Sequence, residues 1–253
     1  MKDFVAECSG INLYSERSLH AQLKAHLAAP GDRLEARVGG KVVDILRSGG
    51  EIVEVQTGNF GKIVPKVLAL AALGHRVRVV HPVAVEREIR RLDPKTEELV
   101  STRRSPKRGD LYSIFDELVS APAFIASHNV IFELMLVRIA EIKVRDGSGS
   151  WRRRGDRIVD RELVEVLSSR SFRTKGQWLA LIPKSLPEPW TSLSLGEALG
   201  IEADRARKLL YCFVRAGILV EAGKEGRRKL YGPAGPASRV APGVKASRRR
   251  AGS

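Results

Sequence analysis

The chain has 253 residues, of which 43% are hydrophobic and 29% are charged, and its formal net charge is +15. This length allows one large domain or two small ones, and the surplus of Lys and Arg favours a polyanionic partner, most simply nucleic acid. Two isolated cysteines, Cys8 and Cys212, make neither a disulfide framework nor a zinc site. We expect a cytoplasmic protein with no membrane partner, because the sequence has no signal-like or membrane-spanning apolar segment.

The first part of the chain predicts a compact α/β unit. Residues 16–28 have leucines at helical spacing, and Pro30–Gly31 ends that helix. Residues 33–57 predict a meander of three short strands separated by glycine turns. A helix over residues 65–74 and an apolar strand over residues 76–83 complete the unit.

The middle of the chain is more basic. Residues 86–110 predict a charged hairpin around Asp93–Pro94, followed by a loop rich in Arg and Lys. A helix is expected near residues 111–119, and a strand is expected over residues 134–144.

The last part predicts helices at residues 161–167 and 175–183, then a short helix, a turn and a long helix that ends at Gly217. A basic hairpin follows at residues 218–232, which is the arrangement of a helix-turn-helix with a wing. We therefore divide the chain into an α/β domain at 1–92, a basic connecting region at 93–157, a winged helix-turn-helix domain at 158–232, and a disordered basic tail at 233–253.

Three polar residues interrupt the apolar strand pair of residues 42–57. Glu54 and Gln56 share one strand face, because side chains two residues apart point the same way. If the turn centres on Ser48–Gly49, Asp44 lies opposite Val53 and diagonal to Glu54, close enough for both carboxylates to reach one ion. Two carboxylates, a backbone carbonyl and waters suit Mg²⁺ or Mn²⁺, which activates water and stabilises a departing oxygen.

This order of residues and elements resembles the PD-(D/E)XK nuclease superfamily, whose restriction-endonuclease-like fold has a mixed sheet. The matching positions are Glu16 on the first helix, Asp44 on the middle strand, and Glu54 with Gln56 on the third. The layout looks closest to the Holliday-junction resolvases of archaeal type. The resemblance implies a metal-dependent DNA endonuclease in repair, recombination or defence, with Glu16, Asp44 and Glu54 as metal ligands and Gln56 beside them.

Gln56 departs from the family pattern, which has Lys at this position. An amide can orient water but adds no positive charge, so Lys62 or Lys66 would have to supply it. A non-catalytic DNA-binding or transcription-regulatory protein built on an inactive nuclease-like fold is the alternative. A plainer interpretation also stays open, in which Asp44 and Glu54 face solvent on an open sheet.

The basic segments predict phosphate contacts, which position nucleic acid without reading its sequence. Winged helices also serve as dimerisation modules, so a homodimer stays open as an alternative. The predicted nucleic-acid-binding residues are Arg103, Arg104, Lys107, Arg108, Arg152, Arg153, Arg154, Arg205, Arg207, Lys208, Arg227 and Arg228.

Overall fold

A computed structural model of the chain describes residues 17–147 and 155–235. Predictions that concern Glu16, the arginines at 152–154 and the tail beyond residue 235 lie outside these residues. Within the described part, no helix is long and apolar enough to cross a membrane.

The first elements follow the order that the sequence predicts. A helix is succeeded by a three-strand meander, a second helix and a long strand, since glycine turns end each strand of the meander. The elements are α1 (Arg17–Leu27), β1 (Arg33–Val38), β2 (Lys41–Leu46), β3 (Ile52–Val55), α2 (Val64–Ala72) and β4 (Val77–Leu92).

The predicted charged hairpin is also present. The protein is an α+β protein built on a mixed sheet. Among the described residues this sheet has seven strands in the order β1-β2-β3-β4-β6-β7, and β5 pairs with β4. Strands β3, β4 and β6 are parallel to one another, whereas β2 and β7 run antiparallel to their neighbours. The later elements are β5 (Leu99–Arg104), a 3-10 turn (Leu111–Ile114), α3 (Phe115–Leu118), α4 (Ala123–Ala126), β6 (Val130–Arg145) and β7 (Asp156–Phe172).

Helices cover both faces of the sheet. Helix α1 buries Leu19 and Leu23 against one face, where Val53 and Val55 belong to the same cluster. Helices α2, α3 and α4 pack on the other face around a larger core that contains Phe60. Burial of these side chains is the main force that holds the layers together.

One edge of β4 is shared by two strands. Residues 77–80 of β4 pair with β3, while residues 88–92 pair with β5 on the same edge. The edge between them, residues 81–87, carries no full strand. Two backbone bonds hold the segment after β5 against it: Ser105 N–H donates to Arg87 O at 2.8 Å, and Gly109 N–H donates to Ala84 O at 2.9 Å. The sheet is therefore split at this point.

Two local predictions were wrong. Residues 161–167 are not a helix, because they form part of β7 and pair with β6 along its length. The β2–β3 register differs by one residue: Ile45 lies opposite Val53, so the next position in register places Asp44 opposite Glu54. The cause is a loop one residue longer than expected, since Arg47 N–H donates to Glu51 O at 2.9 Å and closes the hairpin.

Residues beyond β7 pack on the main core rather than forming a core of their own. The predicted helix at residues 175–183 is present as α5 but ends at Leu179, and the predicted helix, turn, helix and hairpin follow it. In α7, Leu209 and Phe213 are fully buried, and the Phe213 ring lies 5.6 Å from that of Phe115. These elements are α5 (Lys175–Leu179), α6 (Ser192–Leu199), α7 (Ala203–Arg215), β8 (Leu219–Glu225) and β9 (Arg228–Pro233).

Candidate functional site

Asp44 lies where β2 separates from β3. The ladder between these strands pairs only Ile45 and Leu46 with β3. One residue further, the carboxylate of Asp44 accepts the Val55 backbone N–H at 2.8 Å through Oδ2. His20 Nε2, from α1, lies 3.3 Å from the same oxygen. The Asp44 side chain thus takes the place of a ladder bond and is held from both the sheet and α1.

Glu54 is the most deeply buried acid of the site, with a side chain only 4% exposed. The Nζ of Lys66, from α2, lies 2.7 Å from each of its carboxylate oxygens. The contact with Oε2 has hydrogen-bond geometry, whereas the buried Oε1 has no hydrogen-bond partner. Of the two lysines that the sequence offered, Lys66 is therefore the one beside the acids.

The charges of the two acids are set by different surroundings. The pKa of Glu54 is raised to about 7, chiefly by burial and also by the negative charge of Asp44, while Lys66 opposes both. Burial also acts to raise the pKa of Asp44, but the bonds from His20 and the Val55 N–H outweigh it, so this pKa is lowered. The bond to Asp44 in turn raises the pKa of His20. Two neighbouring carboxyl groups with separated pKa values are typical of functional sites.

Gln56 is tied to the loop that follows β3. Its side-chain Nε2 donates to Gly58 O and, at 3.3 Å, to Asn59 O. Its backbone O accepts Nδ1–H of His81 at 2.6 Å. Burial lowers the pKa of His81 to about 4, so this imidazole is neutral near pH 7. The amide therefore stabilises a turn instead of pointing freely at the carboxylates.

The donor set suits a hard cation in part. Among residues 17–147 and 155–235, no group of three His, Cys, Asp or Glu side chains is placed to hold a metal. Asp44 and Glu54 would be the two carboxylate ligands of a divalent ion, although the Lys66 ammonium lies 2.7 Å from Glu54 Oε1. The third predicted ligand, Glu16, precedes α1 and lies outside the described residues.

A cleft of about 900 Å³ opens next to the acid pair, at the split edge of β4. Gln56 lines it, but Asp44 and Glu54 do not, so the cleft begins beside the acids and not at them. Its size is within the usual range for ligand sites. Six cationic side chains line it: Lys62, Arg87, Lys107, Arg108, Arg161 and Arg205. Only two acids, Asp116 and Glu117, do so. The cleft is therefore strongly basic.

The described members of the predicted nucleic-acid-binding set lie in four different settings. Lys107 and Arg108 are exposed and line the cleft, and Arg103 and Arg104 are exposed on the neighbouring β5. Arg205 and Lys208 pair with Asp116 at 2.9 and 2.8 Å, which ties α7 to α3. Arg207 pairs with Asp204 on its own helix at 2.9 Å. The remaining described members, Arg227 and Arg228, are exposed at the tip of the β8–β9 hairpin.

Sequence reasoning missed His20 as a member of the site. It interpreted this residue as helix surface, whereas the side chain is about one-third exposed and contacts Asp44. The available signal was its position three residues before the buried Leu23, because residues three apart lie on neighbouring positions of one helix face. His81 was missed as well, since an isolated histidine in an apolar strand carries no spacing signal.

The fold and the acid pair together define an α+β protein with a buried carboxylate–lysine site beside a basic cleft. Residues 17–173 match the family described as Domain of unknown function (DUF8091), and the chain belongs to this family. The matched region runs from the start of α1 to the end of β7, which is the extent of the large sheet. The chain is also similar to an uncharacterized protein of Treponema pallidum (strain Nichols), at 33% identity over 222 residues that cover 87% of this chain and 86% of that protein. No solved structure matches the chain significantly.

Proposed function

We propose that the protein is a metal-dependent DNA endonuclease of the PD-(D/E)XK type, in which Lys66 supplies the positive charge that Gln56 lacks. The observation that carries this proposal is the Lys66 ammonium 2.7 Å from the Glu54 carboxylate. In the family pattern the lysine follows the glutamate by two residues on the same strand. Here the cation reaches the same carboxylate from the next helix, so the site keeps its charge balance.

The order of elements supports this function. The elements follow one another as in that superfamily: a helix, a three-strand meander, a second helix and a further strand. The second strand of the meander carries the Asp, and the third carries the Glu. Asp44 and Glu54 lie at the point where β2 leaves β3. A divalent ion bound there would lower the pKa of an attacking water and offset charge on the departing oxygen.

The protein's own groups have distinct tasks in such a reaction. Asp44 and Glu54 would hold the ion, and His20 and the Val55 N–H keep Asp44 in position. Lys66 would stabilise the charge that develops on the phosphate, an interaction typically worth about 3 kcal/mol when the donor is fixed in advance. Residues 192–233 would form a winged helix that adds duplex contacts through Arg227 and Arg228 at its hairpin tip.

A second candidate function is DNA binding without hydrolysis. It is favoured by the contacts that already occupy the site: Lys66 on Glu54, His20 on Asp44, and the Gln56 amide bonded to its own loop. In such a protein, the basic side chains would neutralise the acids permanently and leave the fold as a scaffold for the cleft and the hairpin.

The two functions separate in a cleavage assay. Purified protein is incubated with branched, linear and supercoiled DNA, with Mg²⁺ or Mn²⁺ and with EDTA. The endonuclease predicts cleavage with metal that is lost in Asp44→Asn and Glu54→Gln but kept in Glu98→Gln, an exposed acid in the β4–β5 turn with the same change of charge. DNA binding without cleavage under any metal would instead establish the binding protein.

A further inference from the structure

The cleft at the split edge of β4 has two opposing walls. One wall is the segment after β3, which includes Asn59 and Lys62. The other comprises Lys107 to Gly109 and the nearby turn and helix that carry Ser113 and Glu117. Val83, Val137 and Ile139 line the cleft between the walls, but each is at most 4% exposed. A ligand in the cleft would therefore contact mainly the basic groups of the two walls.

The width of the cleft is fixed by a bond between its walls. The Asn59 backbone N–H donates to the Glu117 carboxylate at 2.7 Å, so the segment after β3 is tied to α3. The opposite wall is anchored on β4 by the Gly109 N–H bond to Ala84 O. A Cβ at Gly109 would lie 2.8 Å from that same oxygen, which shows how closely the wall approaches the strand. The walls cannot separate without breaking these contacts.

Uncompensated charge lies on both walls. Arg87 pairs with Glu141 at 3.4 Å, and Arg205 pairs with Asp116. Among the described residues, by contrast, no acid forms an ion pair with Lys62, Lys107 or Arg108. Lys62 belongs to the first wall and the other two to the second, so a polyanion between the walls would meet cations on both sides.

Resting on the proposed endonuclease function, we infer that this cleft takes a single strand of DNA and leads it to the acid pair. A cleft with tied walls and cations on both sides fits one phosphodiester backbone. A duplex presents two backbones and would have to force the walls apart. The burial of the acids also favours a single strand. The side chains of Asp44 and Glu54 are only 14% and 4% exposed, so a scissile phosphate must reach them inside the protein. The substrate class is therefore DNA with a displaced, flapped or unpaired strand.

Binding is tested without catalysis, so that this inference and the proposed function can fail separately. A fluorescent oligonucleotide of about 15 nucleotides, within the site sizes of single-strand grooves, is titrated in EDTA as a single strand and as a blunt duplex. The variant Lys107→Ala/Arg108→Ala removes two cations of the cleft. The control Arg37→Ala/Lys41→Ala removes two exposed cations from β1 and β2, at the far edge of the sheet.

The wild type and the control are expected to bind the single strand more tightly than the duplex. The cleft variant should lose single-strand affinity on the order of 50-fold at about 50 mM salt, and its log–log salt slope should fall by about 1.4, because two phosphate contacts no longer release counterions. Equal or tighter duplex binding by the wild type, or a cleft variant that binds like the control, would overturn the inference. If the protein binds the single strand but shows no metal-dependent cleavage, the cleft remains a single-strand site and the endonuclease function is rejected.

Discussion

The Lys66 ammonium lies 2.7 Å from both carboxylate oxygens of Glu54, joining α2 to β3 inside the sheet–helix interface. A buried acid and a partly buried base in this arrangement stabilise each other, because each would otherwise lose its hydration without compensation. Their contact also places a cation next to the acid pair, whereas the sequence motif itself has the neutral Gln56 where the family pattern has Lys. The pair therefore links the stability of the fold to the chemistry of the site.

Removing Lys66 is expected to destabilise the protein. Lys66→Ala leaves the Glu54 carboxylate buried without its cation, and we expect a loss of about 2 kcal/mol, below the 3–5 kcal/mol of a fully buried pair because Lys66 is about one-quarter exposed. The free energy of unfolding is measured with urea at pH 7.5. In the double variant Lys66→Ala/Glu54→Ala the losses should not add, and strictly additive losses would show that the two side chains do not interact.

His81 predicts a specific loss of stability in acid. Its folded-state pKa of about 4 lies below its ordinary value of 6.5, so the unfolded chain binds the proton first as the pH falls. The stabilisation is thus complete above pH 6.5 and declines as the pH falls toward 4, by up to about 3 kcal/mol. His81→Asn should lack this decline. Urea unfolding of both proteins between pH 7.5 and 4.5 measures it, and parallel pH profiles would contradict it.

Gly109 is expected to tolerate no side chain. The added Cβ of Gly109→Ala would lie 2.8 Å from Ala84 O, a backbone atom that cannot rotate away. We expect a loss of about 1–3 kcal/mol in unfolding free energy from this overpacking, together with weaker single-strand binding as the wall shifts. Gly49→Ala is the matched control, because nothing lies within 4 Å of its Cβ position. If both variants were equally stable, the wall would not be pressed against β4.

Asp116 pairs with two cations of α7, Arg205 and Lys208, of which Arg205 lines the cleft. Asp116→Asn removes one of the two acidic partners of each cation, since Arg205 keeps Asp110 at 3.4 Å and Lys208 keeps Asp204 at 3.1 Å, and it removes one negative charge from the cleft lining. These partly exposed pairs are worth about 1 kcal/mol or less, so stability should change little, whereas affinity for DNA should rise severalfold at low salt. Glu197→Gln, an exposed acid on α6, controls for net charge. Unchanged binding in Asp116→Asn, or an equal rise in both variants, would contradict this role.

The order of the first six elements and the proximity of Asp44 to Glu54 were predictable from the sequence, although their register was not. Glycine turns and alternating apolar residues are local signals, and they mark the meander whose second and third strands carry the acids. The one-residue error in register arose from the loop length, since Ser48 to Gly50 closes a longer hairpin than the Ser48–Gly49 turn that we expected.

Segment 161–167 was misread because its local pattern conflicts with its tertiary context. Leu163, Val166 and Leu167 have the i, i+3, i+4 spacing of a helix. In the structure they pair with β6 through register shifts that break the two-residue period of a regular strand. Pairing with a long neighbouring strand overrides the local preference.

The cleft could not be predicted from the sequence at all. It exists because β3 and β5, about 45 residues apart, share one edge of β4 and leave residues 81–87 between them. Lys62 and Lys107 come to the two walls of one cleft only through this topology. The sequence named both Lys62 and Lys66 as sources of charge, and only the packing of α2 decides that Lys66 reaches Glu54.

The most direct test of the account is the single-turnover rate of metal-dependent cleavage of flapped DNA by Lys66→Ala and Gln56→Ala, measured beside the wild type. If Lys66 supplies the charge, Lys66→Ala should be slower by a factor of about 10²–10³, while Gln56→Ala, which loses only bonds within its own loop, should stay within about tenfold of the wild type. Two results would contradict the account. One is no cleavage by the wild type with any divalent metal. The other is the reverse pattern, in which Gln56→Ala is slower by about 10²–10³ and Lys66→Ala cleaves at the normal rate.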